Sequence, residues 1–559
     1  MNATRITLSI SLIGLAVPVS AQTALLREGD PDPTGIAGQT IFSVSNTAVN
    51  QTGGYAVTLT TSGAAGNISQ VWGNLDGGPG TMLRQEQTLA GFEQNSYESF
   101  FGISADSVAY FAFSDEVGGA VDLDTVWVDD SLVAARDMMA PGTSEFYTFI
   151  TRVGATQDGI PYFVARTSAT QGGSTLSRGL FFGTTPTAII QTGDMLLNLP
   201  AALTTSSVDS DYRFSSLGTN VIAPVDMDTG TSSDDGAMTI NGEGLMIGGA
   251  LVQESLPLPA SAGGAPGENW DNFDFTGITE SGDYMFTGDT DAGTSMDEII
   301  VRNGVVWARE GDMIGGQLIQ GSIEGAFLNE NNQLAYIWDI ETPAGNLEAL
   351  FLDDALVLQE GDEVDWDGDG LPDPGVVLVD FTGSSAVTVD PTGTIYFTAD
   401  VDIAGSRLEG YFSLAPDEVG SNFCMANINS TGMSASIGSA GSALLSSNDL
   451  EIICTGMPPF AFGFFITSRD QGFVANPGGS AGNLCLSGAI GRNVGGGAMS
   501  SGSSGMLSAM VDWTSIPQPT GPIPAMVGDT WNFQCWMRDS SPSGMPTSNF
   551  SDGLSVIVQ

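Results

Sequence analysis

The segment Asp365-Trp366-Asp367-Gly368-Asp369-Gly370-Leu371-Pro372-Asp373 sets carboxylates at relative positions 1, 3, 5 and 9, with a glycine at position 6. Calcium takes about six to eight oxygen ligands. This spacing, the front of an EF-hand-type loop, wraps several of them round one point while the glycine permits the tight turn. Asp365, Asp367, Asp369 and Asp373 are therefore candidate calcium ligands through their side chains, and Leu371, at position 7, through its carbonyl. Position 12, where a bidentate Glu is usual, holds Val376. Asp362 or Glu363 just upstream offers a further oxygen. The competing reading is a solvated acidic turn, but four aligned Asp and a correctly placed Gly favour calcium.

In lacking the last Glu, the loop resembles the calcium loops of dockerins and thrombospondin type 3 repeats more than a helical sensor EF-hand. Other chemistries are closed by composition. The chain has 559 residues, 65 of them Asp or Glu, against 14 basic residues that are all arginine, and a net charge of -51. Without His there is no imidazole base, Ser-His-Asp triad or His-ligated zinc; without Lys there is no Schiff base and no P-loop lysine. So anionic a chain repels nucleic acid and anionic membranes. The catalytic route left open is a pair of carboxylates, as in glycoside hydrolysis, and 65 acids give no means of choosing two.

The elements that would position these groups read as all-β. Glycine, at 74 residues, is enriched and charged residues make up only 14%, a turn-rich composition. One pattern, a short apolar strand followed by Arg or Gln and an acidic or Gly-rich turn, recurs at residues 27, 84, 136, 191, 253, 309 and 359. Its clearest copies are Arg27-Glu28-Gly29-Asp30, Arg309-Glu310-Gly311-Asp312 and Gln359-Glu360-Gly361-Asp362. The bland reading of this turn is preferred: Gly permits a left-handed backbone, Asp caps it, and Glu and Arg are solvated or paired.

Interleaved apolar strands, each entered from a polar turn, begin near Tyr55, Val108, Ile160, Val221, Tyr284, Leu334 and Ile395. Their near-continuous apolar character suits strands covered on both faces. A period of 50 to 60 residues holding several short strands is the size of one β-propeller blade. Residues 22–416 are therefore expected to form a seven-bladed β-propeller. The first Arg-Glu-Gly-Asp copy has no strand set of its own, so the N-terminal strand is expected to complete the last blade and close the ring.

Residues 1–21 read as a signal peptide: Arg5, an apolar run over Ile6–Val17 and small residues at Val19 and Ala21, with cleavage before Gln22. No membrane anchor is expected, so the product is secreted, or periplasmic. After a linker at 417–421, residues 422–559 carry all four cysteines, Cys424, Cys454, Cys485 and Cys535. In an exported chain these read as disulfides, with three pairings possible. The alternation of Trp531, Phe533 and Cys535 with Asn532, Gln534 and Trp536 marks a half-buried strand, and the segment is expected to be a β-sandwich.

The motifs Asn422-Phe423-Cys424-Met425-Ala426-Asn427, Gly482-Asn483-Leu484-Cys485-Leu486, Asp529-Thr530-Trp531-Asn532-Phe533-Gln534 and Ser548-Asn549-Phe550-Ser551-Asp552 resemble a C-terminal domain of uncharacterised secreted bacterial proteins, notably from planctomycetes. The Arg-Glu-Gly-Asp turns resemble uncharacterised exported propeller-like repeats. The resemblance spans nearly all of the chain after residue 21. It implies export and β architecture, carries no catalytic residues, and implies the pairing Cys424 with Cys485 and Cys454 with Cys535. The leading expectation is a secreted, calcium-stabilised, non-enzymatic protein that binds an extracellular glycan or protein ligand. The alternative is an extracellular carbohydrate-active hydrolase using an Asp/Glu pair in the propeller funnel.

Overall fold

The computed structural model describes residues 22–117, 122–209, 211–343, 345–368, 372–382, 387–415, 420–440, 443, 445, 448, 450–493, 499–502, 505–541 and 545–558. The expected signal peptide and most of the expected linker lie outside them. Among the described residues the chain is all-β; the only helical turns are the short 3-10 segments Ala260–Ala262 and Pro477–Gly479. It divides into two compact units, 1–415 and 416–559.

The first unit contains seven antiparallel sheets of four or five strands, taken up in chain order, and one extra two-stranded hairpin at 246–251. The sixth sheet shows the pattern: Gln317–Leu328, Leu334–Thr342, Gly345–Leu352 and Ala355–Gln359 pair in succession. The apolar segments expected at Tyr55, Val108, Ile160, Val221, Tyr284, Leu334 and Ile395 are the second strands of the seven sheets. Their burial follows from position: Leu334, Ala335, Tyr336, Ile337 and Trp338 are each 0% exposed, because neighbouring sheets cover both faces.

Seven apolar clusters fill the spaces between successive sheets. One joins the sixth sheet to the seventh through Ile337, Leu350 and Phe397, and another joins the seventh to the first through Tyr411, Tyr396 and Tyr55. The Tyr55 and Tyr396 rings stack at 4.9 Å. The first strand of the first sheet, Gln39–Val49, touches both Phe92–Ile103 of the second and Val387–Val389 of the seventh, so the succession closes on itself. Thr23–Arg27 pairs antiparallel with Ser406–Leu414 as the outermost strand of the seventh sheet.

The Arg-Glu-Gly-Asp turns follow the outermost strands. Gly29, Gly193, Gly311 and Gly361 have φ of 88°, 93°, 92° and 93°, where a side chain is disfavoured. The aspartate folds back on the turn: Asp194, Asp312 and Asp362 accept from the N–H three residues earlier, at 2.8, 2.9 and 2.9 Å. Two copies are out of register by one residue. Glu86 N donates to Ser69 O and Arg136 N to Asp124 O, as Glu310 N does to Glu298 O. The residues matching Arg309 are thus Gln85 and Ala135, not Arg84 and Arg136. The left-handed position of the second copy is filled by Asp137, φ 66°.

In the second unit, Ser421–Phe423, Pro546–Ile557, Thr530–Ser540, Phe462–Ser468 and Gly491–Asn493 pair in that order, and Met499–Ser500 also joins the sheet. Ser436–Ala440, Glu451–Thr455 and Leu507–Met510 form a second sheet. Ile437, Ile452 and Cys454 of the latter share one core with Trp531, Phe533, Cys535 and Val556 of the former. The strand expected to be half-buried is covered on its other face too. Asn532 and Gln534 are 1% and 0% exposed: Asn532 donates to Ser468 O and Arg469 O and accepts from Gln471 Nε2, and Gln534 Oε1 accepts from Cys485 N at 2.9 Å.

Cys424 and Cys485 are bonded, with Cα atoms 6.2 Å apart. The second expected pair is not: Cys454 and Cys535 are buried free thiols. Burial pushes the Cys535 thiol well above its ordinary range, and a hydrogen bond with Cys454 adds to this.

Candidate functional site

The carboxylate loop sits against the N-terminal strand. Asp365 N donates to Gln22 O, Ala24 N to Asp365 O, and Arg27 Nη1 to Trp366 O at 2.8 Å. The Asp365 carboxylate, fully buried, accepts from Gly368 N at 2.7 Å and Thr23 Oγ1 at 3.2 Å. Asp373 Oδ2 accepts from the N–H groups of Trp366 and Asp367, both at 2.9 Å. Oxygens of Asp365, Asp367 and Asp373 lie within 4.8 Å of one another, close enough to share a cation. Asp369 and Leu371 lie outside the described residues. The upstream acids are turned to other tasks: Asp362 closes its own turn, and Glu363 Oε1 accepts from Gly375 N at 2.8 Å.

Sequence reading missed a second set of acids, in third strands, that reach the next sheet. Asp124 Oδ2 accepts from Ile150 N at 2.9 Å, Glu348 Oε2 from Phe381 N at 2.9 Å, and Glu409 Oε2 from Val44 N at 3.0 Å; Glu298 is bonded likewise to Ile323 N. Ile150, Val44 and Ile323 lie beside bulges in their own ladders, where backbone donors are left for other partners. The signal available in sequence was an acid at the same distance before its turn, Glu298 before Glu310 and Glu348 before Glu360; Glu409 has no such turn after it, because the N-terminal copy serves it.

Several of these acids hold protons tightly. Burial, with the charge of its cross-strand partner Asp289, pushes Glu298 up to about 9. Burial, with Asp380 and Glu360, raises Glu348 to about 7 against the pull of the Phe381 N–H. Oxygens of Glu348, Glu360 and Asp380 also lie within 4.8 Å of one another. Here the cation is already supplied: Arg407 ion-pairs with Asp380 and Asp400.

Opposite in character is an axial cavity of about 160 Å³ lined by the first strands of all seven sheets. Its polar wall includes Arg152, Arg213, Tyr162, Tyr212 and Gln157. Glu330 is its one lining carboxylate among the described residues, and its two oxygens accept from Ser216 N at 2.6 Å and Glu280 N at 2.7 Å. Beside the wall lie Asp211, 3.7 Å from Arg152, and Asp274. Burial, then the charges of Asp289 and Asp211, raise Asp274 to about 6.

At the far ends of the first strands, one polar residue per sheet organises the turn into the second strand. Asn50 Oδ1 accepts from Thr52 N and Gly54 N while its amide donates to Ser104 O in the next sheet at 2.8 Å. Asn329 repeats this, donating to Asp390 O at 2.8 Å.

No helix among the described residues is long and apolar enough to cross a membrane. No protein-family model matches the chain, and no curated protein matches it. Among solved structures it is similar to the GH93 alpha-L-arabinofuranosidase of Fusarium graminearum in complex with arabinobiose, at 7% identity and a TM-score of 0.27, covering 71% of this chain and 98% of that one. It is also similar to an engineered GH43 glycoside hydrolase with endo-xylanase and exo-arabinofuranosidase activity, at 8% identity and a TM-score of 0.20, covering 93% of this chain and 97% of that one.

Proposed function

We propose that the protein is a secreted, non-enzymatic binding protein built from a seven-bladed β-propeller closed by its N-terminal strand and a C-terminal β-sandwich. The observation that carries the non-enzymatic reading is the use made of the acids. Asp124, Glu298, Glu348 and Glu409 recur at one place in their sheets and are spent on backbone N–H groups, and among the described residues the axial cavity has a single carboxylate, engaged at both oxygens. Acids repeated at one place and tied to the backbone of the next sheet are scaffold. A catalytic pair is unlike its counterparts and free to exchange protons. Export is supported by the Cys424–Cys485 bond, since such bonds persist in oxidising compartments.

Calcium belongs to the same reading: Asp365, Asp367 and Asp373 converge, with Asp369 and the Leu371 carbonyl completing the set by spacing. The ligand is an extracellular glycan, held in the axial cavity beside its aromatic wall.

A second reading, hydrolysis by a carboxylate pair, is favoured by Asp211 and Asp274, which are unlike the repeated acids and whose surroundings push Asp274 towards neutral pH. A glycan array read both for bound protein and for newly released reducing ends separates the two. Binding without cleavage is the expected result. Reducing ends that disappear in Asp274→Asn would replace the binder with the hydrolase, and an array with neither signal would end both.

A further inference from the structure

Among the described residues Arg27, Arg84, Arg152, Arg302, Arg309, Arg407 and Arg469 pair with carboxylates, and several other arginines do not. Arg213 is one: among the described residues it makes no ion pair, and its Nη1 donates only to Tyr212 O, at 3.4 Å. It lines the axial cavity beside Arg152. Arg152 is held there by an unusual backbone. Its φ is 56°, in the left-handed region, and it lies in a register shift between Thr151 and Gly154.

The left-handed region is disfavoured for a residue other than glycine. Bulges of this kind re-aim side chains beside binding sites, where such strain is characteristically kept. The Tyr212 hydroxyl fastens the carbonyl of Arg152, and the rings of Tyr162 and Phe214 pack at 4.5 Å as an aromatic wall of the same cavity.

We propose that this cavity takes an anionic sugar, its carboxylate or sulfate between the guanidiniums of Arg213 and Arg152 and its ring against the aromatic wall. The inference rests on the binding reading above and names the ligand class for it. A planar guanidinium offers paired N–H donors that match a carboxylate or sulfate edge. Asp211 takes one side of Arg152 at 3.7 Å, and Asp209 lies nearby. The anion therefore meets one arginine ion-paired with Asp211 and one that feels the Asp211 charge only at longer range. The carboxylate of Glu330, which also lines the cavity, is occupied by two backbone N–H groups. About 160 Å³ is well below the roughly 300–1,000 Å³ of pockets for drug-sized ligands, so the fit is to one ring of a glycan.

The test is calorimetric titration of the full exported chain with D-glucuronate, glucose 6-sulfate and D-glucose. Either acidic sugar is expected to bind saturably, the two titrations deciding between carboxylate and sulfate, and glucose is expected to be inert. Arg213→Gln should weaken the acidic sugar at least about tenfold. Arg213→Lys, which keeps the charge but loses the fork, should fall between and serves in place of Arg213→Gln if that variant loses its cooperative melt. Glucose binding that ignores both substitutions would overturn the anionic assignment and leave the binding reading standing. No heat with any of the three sugars would overturn the assignment too, while the glycan array decides the binding reading separately.

Discussion

Glycine in the Arg-Glu-Gly-Asp turn answers one backbone demand. At Gly29 and Gly361 the space where a Cβ would stand is open within 4 Å, so φ alone selects the residue. Asp137 fills the equivalent place in the second sheet because Asp tolerates the left-handed region better than most side chains. That substitution also explains the slipped register. Without the glycine marker, the apolar-then-arginine pattern at Arg84 and Arg136 was the only cue, and it is shared by residues one place to either side. The repeated acids were visible as letters, but their protonation was not, since it is set by burial and by neighbours distant in the chain. Glu298, raised to about 9, and Glu348, raised to about 7, bind more protons folded than unfolded. Their contribution is then fully present below the unfolded value near 4.5 and is lost as pH rises through the folded values. The melting temperature should therefore fall between about pH 5 and pH 9, and Glu348→Gln should flatten the pH 5 to 7 part of that slope. A melting temperature that rises over this range would contradict the assignment.

At the scale of elements, the N-terminal strand and the carboxylate loop form one device. Thr23–Arg27 pairs with the outer edge of the seventh sheet while Thr23, Ala24 and Arg27 each bond to residues 365 or 366. Ordering the loop with a cation would hold the strand, and removing the strand would loosen the loop. Deleting residues 22–31 should lower the melting temperature, and so should EDTA on the intact chain. Because both act on one contact, EDTA should have little further effect on the deleted chain. Fully additive losses would mean the two are independent, and an unchanged curve with EDTA would remove calcium from the description. The strand positions were legible because a continuous apolar run needs cover on both faces and a polar turn at each end. The inter-sheet acid bonds were not, because they depend on bulges such as that between Ile323 and Gly325, which leave no mark in the hydrophobic pattern.

For the whole molecule, the net charge of -51 is carried by a ring of sheets and a second unit with few cations to offset it. Self-repulsion of this size opposes compact states and is screened by salt. The melting temperature should climb as sodium chloride is raised from a few millimolar to about molar, where the Debye length falls to roughly 3 Å. A flat response would mean that ion pairs such as Arg309 with Glu268, at 2.6 Å, outweigh the repulsion. By itself the sequence determined the all-β class, the period, the place of each second strand and the left-handed turns, because these are set by side-chain alternation and φ over a few residues. Only the tertiary structure decided that Cys454 and Cys535 meet as thiols, that Glu348 and Glu409 bond to the next sheet, and that Arg152 and Arg213 reach one cavity. These pairings join residues tens to hundreds of positions apart, and they are fixed by how neighbouring sheets pack and where their ladders bulge.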